Sequence, residues 1–264
     1  MDLRIKDKVA FISGSTAGIG FATAKRFLNE GAQVIINGRT NEGVDKAIEK
    51  LKSSVVNAKV SGIAADFSKV DEVNKLTDEL PQVDILINNV AIFEPRPFAE
   101  IPDENWFKIF EVNVMSGIRL ARHLFPKMIK NNWGRIIFIS SESAINIPSE
   151  MIDYGMTKTA QIAVSRGLAE LTKGTNVTVN AILPGPTRST GLEGFIEKLS
   201  KAGNISVSEV EEDFFKNMRP SSLLQRFASV EEIADTVVYF SSPLASATNG
   251  AAIRVDGGVM RSIL

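Results

Sequence analysis

A tyrosine and a lysine four residues apart, Tyr154 and Lys158, are the side chains best suited to acid–base chemistry in this chain. The surrounding segment is predicted to be helical, so residues i and i+4 share one face and the ammonium can lie near the phenol. A neighbouring positive charge favours the phenolate and lowers the tyrosine pKa from about 10 towards the range in which a general acid works. Taken alone, the same spacing is also typical of a pair on a solvent-exposed helix surface.

A glycine-rich turn, residues 13–20 with the sequence SGSTAGIG, directly follows the first predicted strand and opens the first predicted helix. Glycine permits a tight turn, and free amides at a helix N-terminus favour a pyrophosphate. The residues expected to form this cofactor-binding turn are Gly14, Ser15, Thr16, Gly18, Ile19 and Gly20. The spacing is GxxxGxG rather than the common GxGxxG, and ordinary strand-to-helix turns also use glycine.

The end of the second predicted strand carries Asn37, Gly38 and Arg39. A dinucleotide-binding chain that uses NAD usually has Asp or Glu at this point to bind the ribose 2′-hydroxyl. No carboxylate is present here, and an arginine can bind a 2′-phosphate with two hydrogen bonds. The pattern therefore favours NADP(H), with NAD(H) still possible because a guanidinium also stacks on adenine. Alternatively, Arg39 is a solvated loop residue.

The composition excludes several other kinds of chemistry. The chain has 264 residues, 30 Lys+Arg against 31 Asp+Glu, one His and no Cys. Disulfides, thiolate nucleophiles, Cys-ligated metals and poly-His metal centres are therefore excluded, and no metal site is predicted. A formal net charge of -1 creates no global field for nucleic acid or an anionic membrane. Without an apolar stretch long enough for a signal peptide or membrane span, a cytoplasmic protein is the expectation.

The elements that must position these residues alternate along the chain. Seven short runs rich in Val and Ile read as strands buried on both faces: 8–13, 33–37, 59–63, 84–87, 135–140, 176–183 and 251–255. Helical patterns lie between them at 19–30, 41–52, 70–80, 103–130, 151–173 and 230–241. This alternation predicts an α/β fold, a doubly wound sandwich with a seven-stranded parallel sheet, in a single domain over residues 1–264.

Residues 188–222 interrupt the alternation and are called the lid segment below. The segment follows a strand and contains three glycines, Pro220 and scattered apolar residues, among them Phe195 and Phe214. Such an insertion above the carboxyl edge of a sheet is typical of a mobile substrate lid. We therefore expect a helical lid over the substrate.

Several spaced motifs together resemble the classical short-chain dehydrogenase/reductase family along essentially the whole chain. Ser141 precedes Tyr154 by 13 residues and follows Asn113 by 28, as in that family's catalytic tetrad. The remaining matches are the glycine turn, Asp66, Asn88-Asn89-Val90-Ala91, Tyr154-x-x-x-Lys158, Pro184-Gly185 and Val255-Asp256-Gly257-Gly258. The resemblance implies a Rossmann-like fold and oxidoreductase activity with a nicotinamide cofactor.

The resemblance also implies a division of labour within the tetrad. Tyr154 is the expected general acid/base, Ser141 the donor to the substrate oxygen, and Lys158 the group that binds the nicotinamide ribose and tunes Tyr154. Asn113 completes the proton path by holding a water through its backbone. Asn113 also lies on an apolar helix stripe, so a satisfied core amide is the alternative for it.

Further cofactor contacts are implied only by the family pattern. Asp66 and Phe67 would contact the adenine, although an Asp there could also cap the next helix. The residues expected at the ribose and the nicotinamide are Asn88, Asn89, Val90, Pro184, Gly185 and Thr187. Val90-Ala91 stands where the family usually has Ala-Gly, which adds bulk beside the cofactor. The turn after Pro184 could alternatively be only rigid structure.

The leading hypothesis is an NADPH-preferring carbonyl reductase with a small or moderately apolar substrate. If Glu94 or Glu142 points into the pocket, either would repel anionic substrates. The alternatives are an NAD-dependent alcohol dehydrogenase of hydroxysteroid or sugar-alcohol type, and a non-catalytic regulator that senses the dinucleotide. By resemblance, a homodimer or homotetramer is expected. Its helices would pack through small residues, which are Gly117, Ala121, Ala160, Ala163 and Gly167.

Overall fold

The computed structural model describes residues 1–263, without the side chains at positions 190, 195, 198 and 202. The expected contribution of the Phe195 side chain to the lid segment therefore lies outside the described residues. Seven strands form one sheet: β1 Val9–Ile12, β2 Gln33–Gly38, β3 Val60–Ala64, β4 Ile85–Asn88, β5 Gly134–Ile139, β6 Val177–Pro184 and β7 Ala252–Val255. Their order is β3-β2-β1-β4-β5-β6-β7, and every pairing is parallel. The predicted single-domain, doubly wound parallel sheet is confirmed.

Nine α-helices surround this sheet in the described part of the chain. They are α1 Gly18–Asn29, α2 Asn41–Ser54, α3 Val70–Glu79, α4 Asp103–Phe110, α5 Ser116–Lys130, α6 Ile152–Glu170, α7 Thr190–Gly203, α8 Val207–Asp213 and α9 Val230–Phe240. Among residues 1–263, no helix is long and apolar enough to cross a membrane.

Alternating strand residues face two separate apolar layers, one on each side of the sheet. Ile12 and Ile36 join the layer that also contains Phe27 of α1 and Val237 of α9. Phe11 belongs to the opposite layer, which also holds residues of α3, α5 and α6. Both faces of the sheet are thus buried, which explains the near-continuous apolar runs in the sequence.

The strand order reverses between β1 and β4, where the chain leaves β1 for one side of the sheet and later returns to the other. Crevices of doubly wound sheets open at the carboxyl ends of the strands flanking such a reversal. The glycine turn follows β1, and Asn89 and Val90 follow β4. The topology therefore brings these segments together at one edge of the sheet.

The sequence predicts one continuous helix over 103–130, and the structure differs there. A π-helical turn, Glu111–Met115, separates α4 from α5. The wider turn contains Asn113, whose side chain bonds Ile92 of a neighbouring loop. The π-helical turn therefore places a buried amide where an uninterrupted apolar stripe would otherwise continue.

The lid segment is helical, as predicted. It contains α7, α8 and a π-helical turn, Phe214–Met218. Ile196, Val210 and Phe215 pack with Phe227 in a small apolar cluster separate from the two layers of the sheet. This cluster gives the lid segment its own packing, so its position over the sheet edge depends on few contacts with the main core.

Candidate active site

The glycine turn is held in place by side chains from the two neighbouring strands. Gly14 has a φ of +60°, and its amide donates to Asn37 Oδ1 at 3.1 Å. Asn89 Nδ2 donates to Gly14 O at 2.8 Å and to Ser13 O at 3.1 Å. A Cβ at Gly20 would lie 2.6 Å from Gly14 O, so the first turn of α1 packs directly under the loop. These contacts fix the backbone of the glycine turn in the tight conformation that the sequence predicted.

The N-terminus of α1 fits a pyrophosphate. Its N-cap Ala17 makes no side-chain capping bond, and no acidic residue stands in the first turn. The first amides of the helix are therefore left for an anion. Gly14, Gly18 and Ile19 line the cleft beside this terminus. Ser15 does not line it, because its side chain is buried and its hydroxyl donates to Ile12 O at 2.7 Å. Gly20 does not line it either, since it packs under the loop.

The end of β2 leaves room for a phosphate group and carries one positive charge. A Cβ at Gly38 would lie 2.5 Å from Thr16 Cγ2, so a carboxylate reader at this position would collide with the glycine turn. Arg39 is exposed and forms no ion pair with any described residue. Thr16, Gly38 and Arg39 line an adjoining groove of about 530 Å³. The guanidinium is therefore available to an anionic ligand.

Asp66 and Phe67 line the same groove, where the adenine contact is predicted. Asp66 Oδ1 accepts hydrogen bonds from Ser68 N at 2.9 Å and Ser68 Oγ at 2.8 Å. These bonds, with a smaller contribution from the charge of Arg39, hold the pKa of Asp66 below its usual value. Asp66 therefore stabilises the turn before α3 and borders the groove, but it does not cap the helix, whose N-cap is Lys69.

Asn88, the last residue of β4, and the two residues that follow it do not share one location. Asn89 and Val90 line the cleft, and the position of a Cβ on Gly14 would be 3.1 Å from Val90 Cγ2. Val90 thus packs over the glycine turn, which makes a side chain at Gly14 unfavourable. The Asn88 side chain is buried under the sheet beside Gly117 and does not line either cavity. Its carboxamide has no hydrogen-bond partner there, and the structure does not bring it together with the predicted cofactor contacts.

Ser141, Tyr154 and Lys158 meet at the carboxyl end of β5. Ser141 lies two residues after the end of β5 and is 9% exposed, while Tyr154 and Lys158 lie on the first turns of α6. The Ser141 side chain is near enough to Tyr154 to lower its pKa, and Lys158 Nζ lies 5.5 Å from the centre of the Tyr154 ring. The predicted i, i+4 arrangement is therefore part of the cleft and not a surface pair, with Lys158 buried and Tyr154 half-buried.

Burial dominates the acid–base properties of this cluster. It raises the pKa of Tyr154 to about 12, against a smaller opposing effect of the Ser141 hydrogen bond, and the charge of Glu142 raises it further. Burial also lowers the pKa of Lys158 to about 7. The expected depression of the Tyr154 pKa by Lys158 is not found. The physical reason is that Lys158 Nζ donates to Ile139 O at 2.8 Å, in a site that disfavours its charged form.

Gln161 was not predicted as a functional residue, yet it joins Lys158 to Asn113. Its side chain is 2% exposed; Oε1 accepts from Lys158 Nζ at 3.2 Å, and Nε2 donates to Asn113 O at 2.5 Å. The Asn113 carbonyl, where a water was expected, is therefore bonded by a side chain. Asn113 Nδ2 donates to Thr157 Oγ1 at 3.1 Å, so its amide is satisfied. The sequence did contain a signal for the contact between Lys158 and Gln161, because residues three apart on a helix are neighbours.

The turn after β6 closes the cleft opposite the glycine turn. Pro184, Gly185 and Thr187 line the cleft, and Thr187 Oγ1 donates to Gly185 O at 2.8 Å. A Cβ at Gly185 would lie 2.5 Å from Asp256 O, so the end of β6 touches the turn after β7. Asp256 in turn accepts from Gly258 N and Met260 N, both at 3.0 Å. The motif Val255-Asp256-Gly257-Gly258 thus has a structural role, because it fixes the turn that packs against the end of β6.

The glycine turn, the segments after β4 and β5, α6 and the turn after β6 surround one cleft of about 490 Å³. Ser141, Tyr154 and Lys158 line its floor, and the glycine turn forms one wall. The lid segment contributes Leu192, Phe214, Met218 and Arg219 to the opposite wall. No group of three His, Cys, Asp or Glu residues within 1–263 could hold a metal. The arrangement suits an organic cofactor beside an acid–base cluster.

Comparison with known proteins decides the family. The model of the short chain dehydrogenase family matches residues 8–199. The chain belongs to this family. An uncharacterized oxidoreductase of Bacillus subtilis, YvrD, is 49% identical over 100% of both chains. The 3-oxoacyl-[acyl-carrier-protein] reductase FabG of Aquifex aeolicus is 32% identical over 98% of this chain and 100% of its own.

A solved short-chain dehydrogenase structure supports the same conclusion. L-Sorbose reductase from Gluconobacter frateurii, complexed with NADPH and L-sorbose, superposes with a TM-score of 0.92 at 30% identity, over 100% of both chains. This short-chain dehydrogenase is accordingly an NAD(P)-dependent oxidoreductase that acts on a CH–OH or carbonyl group of a small molecule. The resemblance in the sequence is confirmed, as is the Rossmann-like fold.

Proposed function

We propose that this protein is an NADPH-preferring reductase that converts the carbonyl of a small or moderately apolar substrate to a secondary alcohol. The observation that carries the proposal is the convergence of Ser141, Tyr154 and Lys158 on the floor of a cleft whose wall is the glycine turn. A reacting carbon placed on that floor lies between a cofactor site and a proton donor. The lid segment, by its apolar lining residues, would cover the substrate.

The role proposed for each residue follows from the negative charge that develops on the carbonyl oxygen of the substrate during reduction. A nicotinamide, when bound, supplies the hydride for reduction. Ser141 donates a hydrogen bond to the carbonyl oxygen, and Tyr154 gives that oxygen its phenolic proton as negative charge develops. A Tyr154 pKa of about 12 keeps the phenol protonated at neutral pH, which is the form that reduction needs. Lys158, which lines the same floor, holds the nicotinamide ribose.

Support for NADPH comes from the end of β2. Arg39 lines the groove at the end of β2 and forms no ion pair with a described residue, and a side chain at Gly38 would meet Thr16 Cγ2. A bidentate arginine–phosphate contact favours the phosphorylated cofactor. The solved L-sorbose reductase carries NADPH in its complex, which agrees with this preference.

The cofactor preference is tested by fluorescence titration with NADPH and NADH at one ionic strength. Native protein is expected to bind NADPH more tightly, and Arg39→Ala is expected to weaken NADPH binding about tenfold or more, the loss of a charge-assisted contact. NADH binding should change little in the same variant. Equal or tighter NADH binding by native protein would contradict the preference and favour NAD-dependent oxidation of an alcohol.

The catalytic assignment is tested by Tyr154→Phe. Removal of the phenolic proton is expected to lower kcat by about a hundredfold or more, as for the loss of a general acid, with NADPH affinity nearly unchanged. Initial rates of ketone reduction and a cofactor titration measure the two quantities. Tyr239→Phe, on the exposed surface of α9, is the matched control and should keep native rates. Full turnover by Tyr154→Phe would contradict the assignment of Tyr154 as the general acid, whereas the absence of turnover in native protein would favour the regulator hypothesis.

A further inference from the structure

A buried ion pair joins the lid segment to the turn that carries Ser141. Arg219 Nε donates to Glu142 Oε1 at 3.1 Å, and the two residues are 7% and 3% exposed. Glu142 immediately follows Ser141, and Arg219 directly follows the π-helical turn of the lid segment. The pair therefore links the lid segment to the residue next to the proposed hydrogen-bond donor.

Ser141 is the N-cap of a short 3-10 helical turn, Glu142–Ala144, and residues 141–144 are called the serine turn below. Ser143 N donates to Ser141 Oγ at 3.1 Å, so the direction of the serine hydroxyl depends on the geometry of this turn. At its far end the turn is held by α6, where Thr159 Oγ1 donates to Ala144 O at 2.6 Å. On the side of the lid segment, the serine turn is held by Arg219 through Glu142.

The position of Arg219 follows that of the lid segment. Thr187 and Ala228, which lie before and after the segment, form a parallel β-bridge, so its two ends meet. Arg219 lies between these ends; its amide donates to Phe214 O at 2.9 Å, and its Cζ lies 5.8 Å from the centre of the Phe214 ring. Phe214 lines the cleft. A displacement of this apolar wall therefore displaces the guanidinium that holds Glu142.

A contribution to stability does not explain the pair. Burial raises the pKa of Glu142, an effect that the charge and hydrogen bond of Arg219 oppose. Glu142 Oε2 is buried and has no hydrogen-bond partner among the described residues. Apolar side chains in place of a buried ion pair are often neutral or stabilising, whereas removal of one partner is strongly unfavourable. The pair therefore favours one relative position of the lid segment and the serine turn over all others.

We propose that Arg219 is a positioning residue for the reaction: through Glu142 it fixes the serine turn, so that Ser141 is oriented towards the substrate carbonyl only when the lid segment covers the cleft. This inference rests on the proposed reductase function. A donor contributes to catalysis only if it points at the oxygen on which negative charge develops. Reduction is thereby coupled to enclosure of the substrate.

The positioning role is tested with the Glu142→Leu/Arg219→Leu double variant, which leaves no buried charge without a partner. With cyclohexanone as the probe, kcat is expected to fall about tenfold or more because Ser141 is misplaced, while the Kd of NADPH changes less than about twofold. Initial rates and fluorescence titration measure the two quantities. Arg188→Leu/Glu211→Leu is the matched control, since it removes an ion pair within the lid segment, and it should keep the native kcat.

A Ser141→Ala background separates this role from a merely structural one. If the ion pair acts through Ser141, the double substitution should lower the residual turnover of Ser141→Ala by less than about twofold, because the positioned donor is already absent. A further loss of about tenfold would show an effect independent of Ser141 and overturns the positioning role. An unchanged kcat of the double variant with the native serine also overturns it.

Amide hydrogen exchange of the serine turn provides a measurement that requires no turnover. The amides of residues 143–146 all donate to Ser141 or Glu142. They are expected to exchange about tenfold faster in the double variant than in native protein or in the control. Unchanged exchange, in a protein that reduces cyclohexanone, overturns this inference and leaves the reductase standing. Faster exchange, in a native protein that reduces no cyclohexanone, overturns the reductase and leaves the coupling between the lid segment and the serine turn.

Discussion

Gln161 shows how a single side chain changes the environment of the candidate acid–base cluster. Lys158 is buried, and burial lowers its pKa to about 7. Two oxygens stabilise its ammonium, Ile139 O at 2.8 Å and Gln161 Oε1 at 3.2 Å. The amide of Gln161 is held in turn by Asn113 O. The contact with Gln161 orients Lys158. At Asn113 the Gln161 amide takes the place of the expected water, and an amide gives up a proton far less readily than water, so the expected proton path is closed there.

Replacing Gln161 is expected to move the Lys158 pKa in a direction set by the new side chain. Gln161→Leu removes an acceptor from a buried ammonium, so the charged form is disfavoured and the pKa falls by about one unit. Gln161→Glu places a carboxylate beside the ammonium, so the pKa rises. The alkaline limb of the kcat/KM profile should therefore shift to lower pH in the first variant and to higher pH in the second.

The two Gln161 variants serve as controls for each other. A merely structural role would reduce activity in both and leave the position of the limb unchanged. Shifts of the same sign in Gln161→Leu and Gln161→Glu would contradict the positioning role. The pH dependence of ketone reduction with saturating NADPH provides the measurement.

At the scale of elements, the site is built at junctions between strand ends. The end of β6 meets the turn after β7, where a Cβ on Gly185 would lie 2.5 Å from Asp256 O and 2.7 Å from Asp256 Cα. These are backbone atoms and cannot rotate away as a flexible side chain would. Asp256 is itself fixed by the amides that it accepts. Close approach between two strand ends thus requires a glycine here.

Gly185→Ala is expected to lower the free energy of unfolding by about 1–3 kcal/mol, since the added methyl forces two strand ends apart. Urea denaturation at pH 7 measures the change. Gly194→Ala is the matched control, because no described atom lies within 4 Å of its added methyl. In α7 it should be neutral or stabilise the protein by up to about 1 kcal/mol. Equal stability of native protein and Gly185→Ala would contradict the close approach.

At the scale of the whole molecule, two strongly exposed aromatic side chains, Phe98 and Phe107, do not line the cleft. Phe107 of α4 is 75% exposed, and Phe98, whose ring meets Trp106 edge-on, is 63% exposed. Of the small residues expected at a subunit interface, Gly117 and Ala121 instead pack inside the subunit: a Cβ at Gly117 would lie 2.9 Å from the Phe138 ring. That part of the expectation is wrong, because both residues face the sheet.

A homodimer or homotetramer stays a prediction, and the apolar side chains of α4 are the surface on which to test it. Phe107→Glu places a charge where a partner helix would pack, and is expected to shift the protein towards a smaller species. Size-exclusion chromatography with light scattering measures the mass. Val56→Glu is the matched control, since Val56 is 89% exposed at the far end of α2. A native monomer, or a Phe107→Glu protein of native mass, would contradict the prediction.

Much of this molecule could be predicted from local sequence. Seven runs rich in apolar residues corresponded to the seven strands. The central strands β4, β5 and β6 are buried on both faces, whereas the edge strands β3 and β7 are partly exposed and less apolar. The glycine turn was readable because its backbone path needs positive φ at Gly14 and Gly18. The proximity of Tyr154 and Lys158 could be predicted because residues four apart lie on the same face of a helix. Each of these signals arises within one element.

Tertiary structure alone decided the features that join distant elements. The contact between Arg219 and Glu142 spans 77 residues, and no local pattern marks it. Asn88 carried the expected motif, but the packing of α5 against the sheet turned its side chain away from the cleft. The pKa values of Tyr154 and Lys158 followed burial rather than their spacing. Spacing along a helix determines which groups are neighbours, whereas the dielectric environment and the partners across the fold determine their charge.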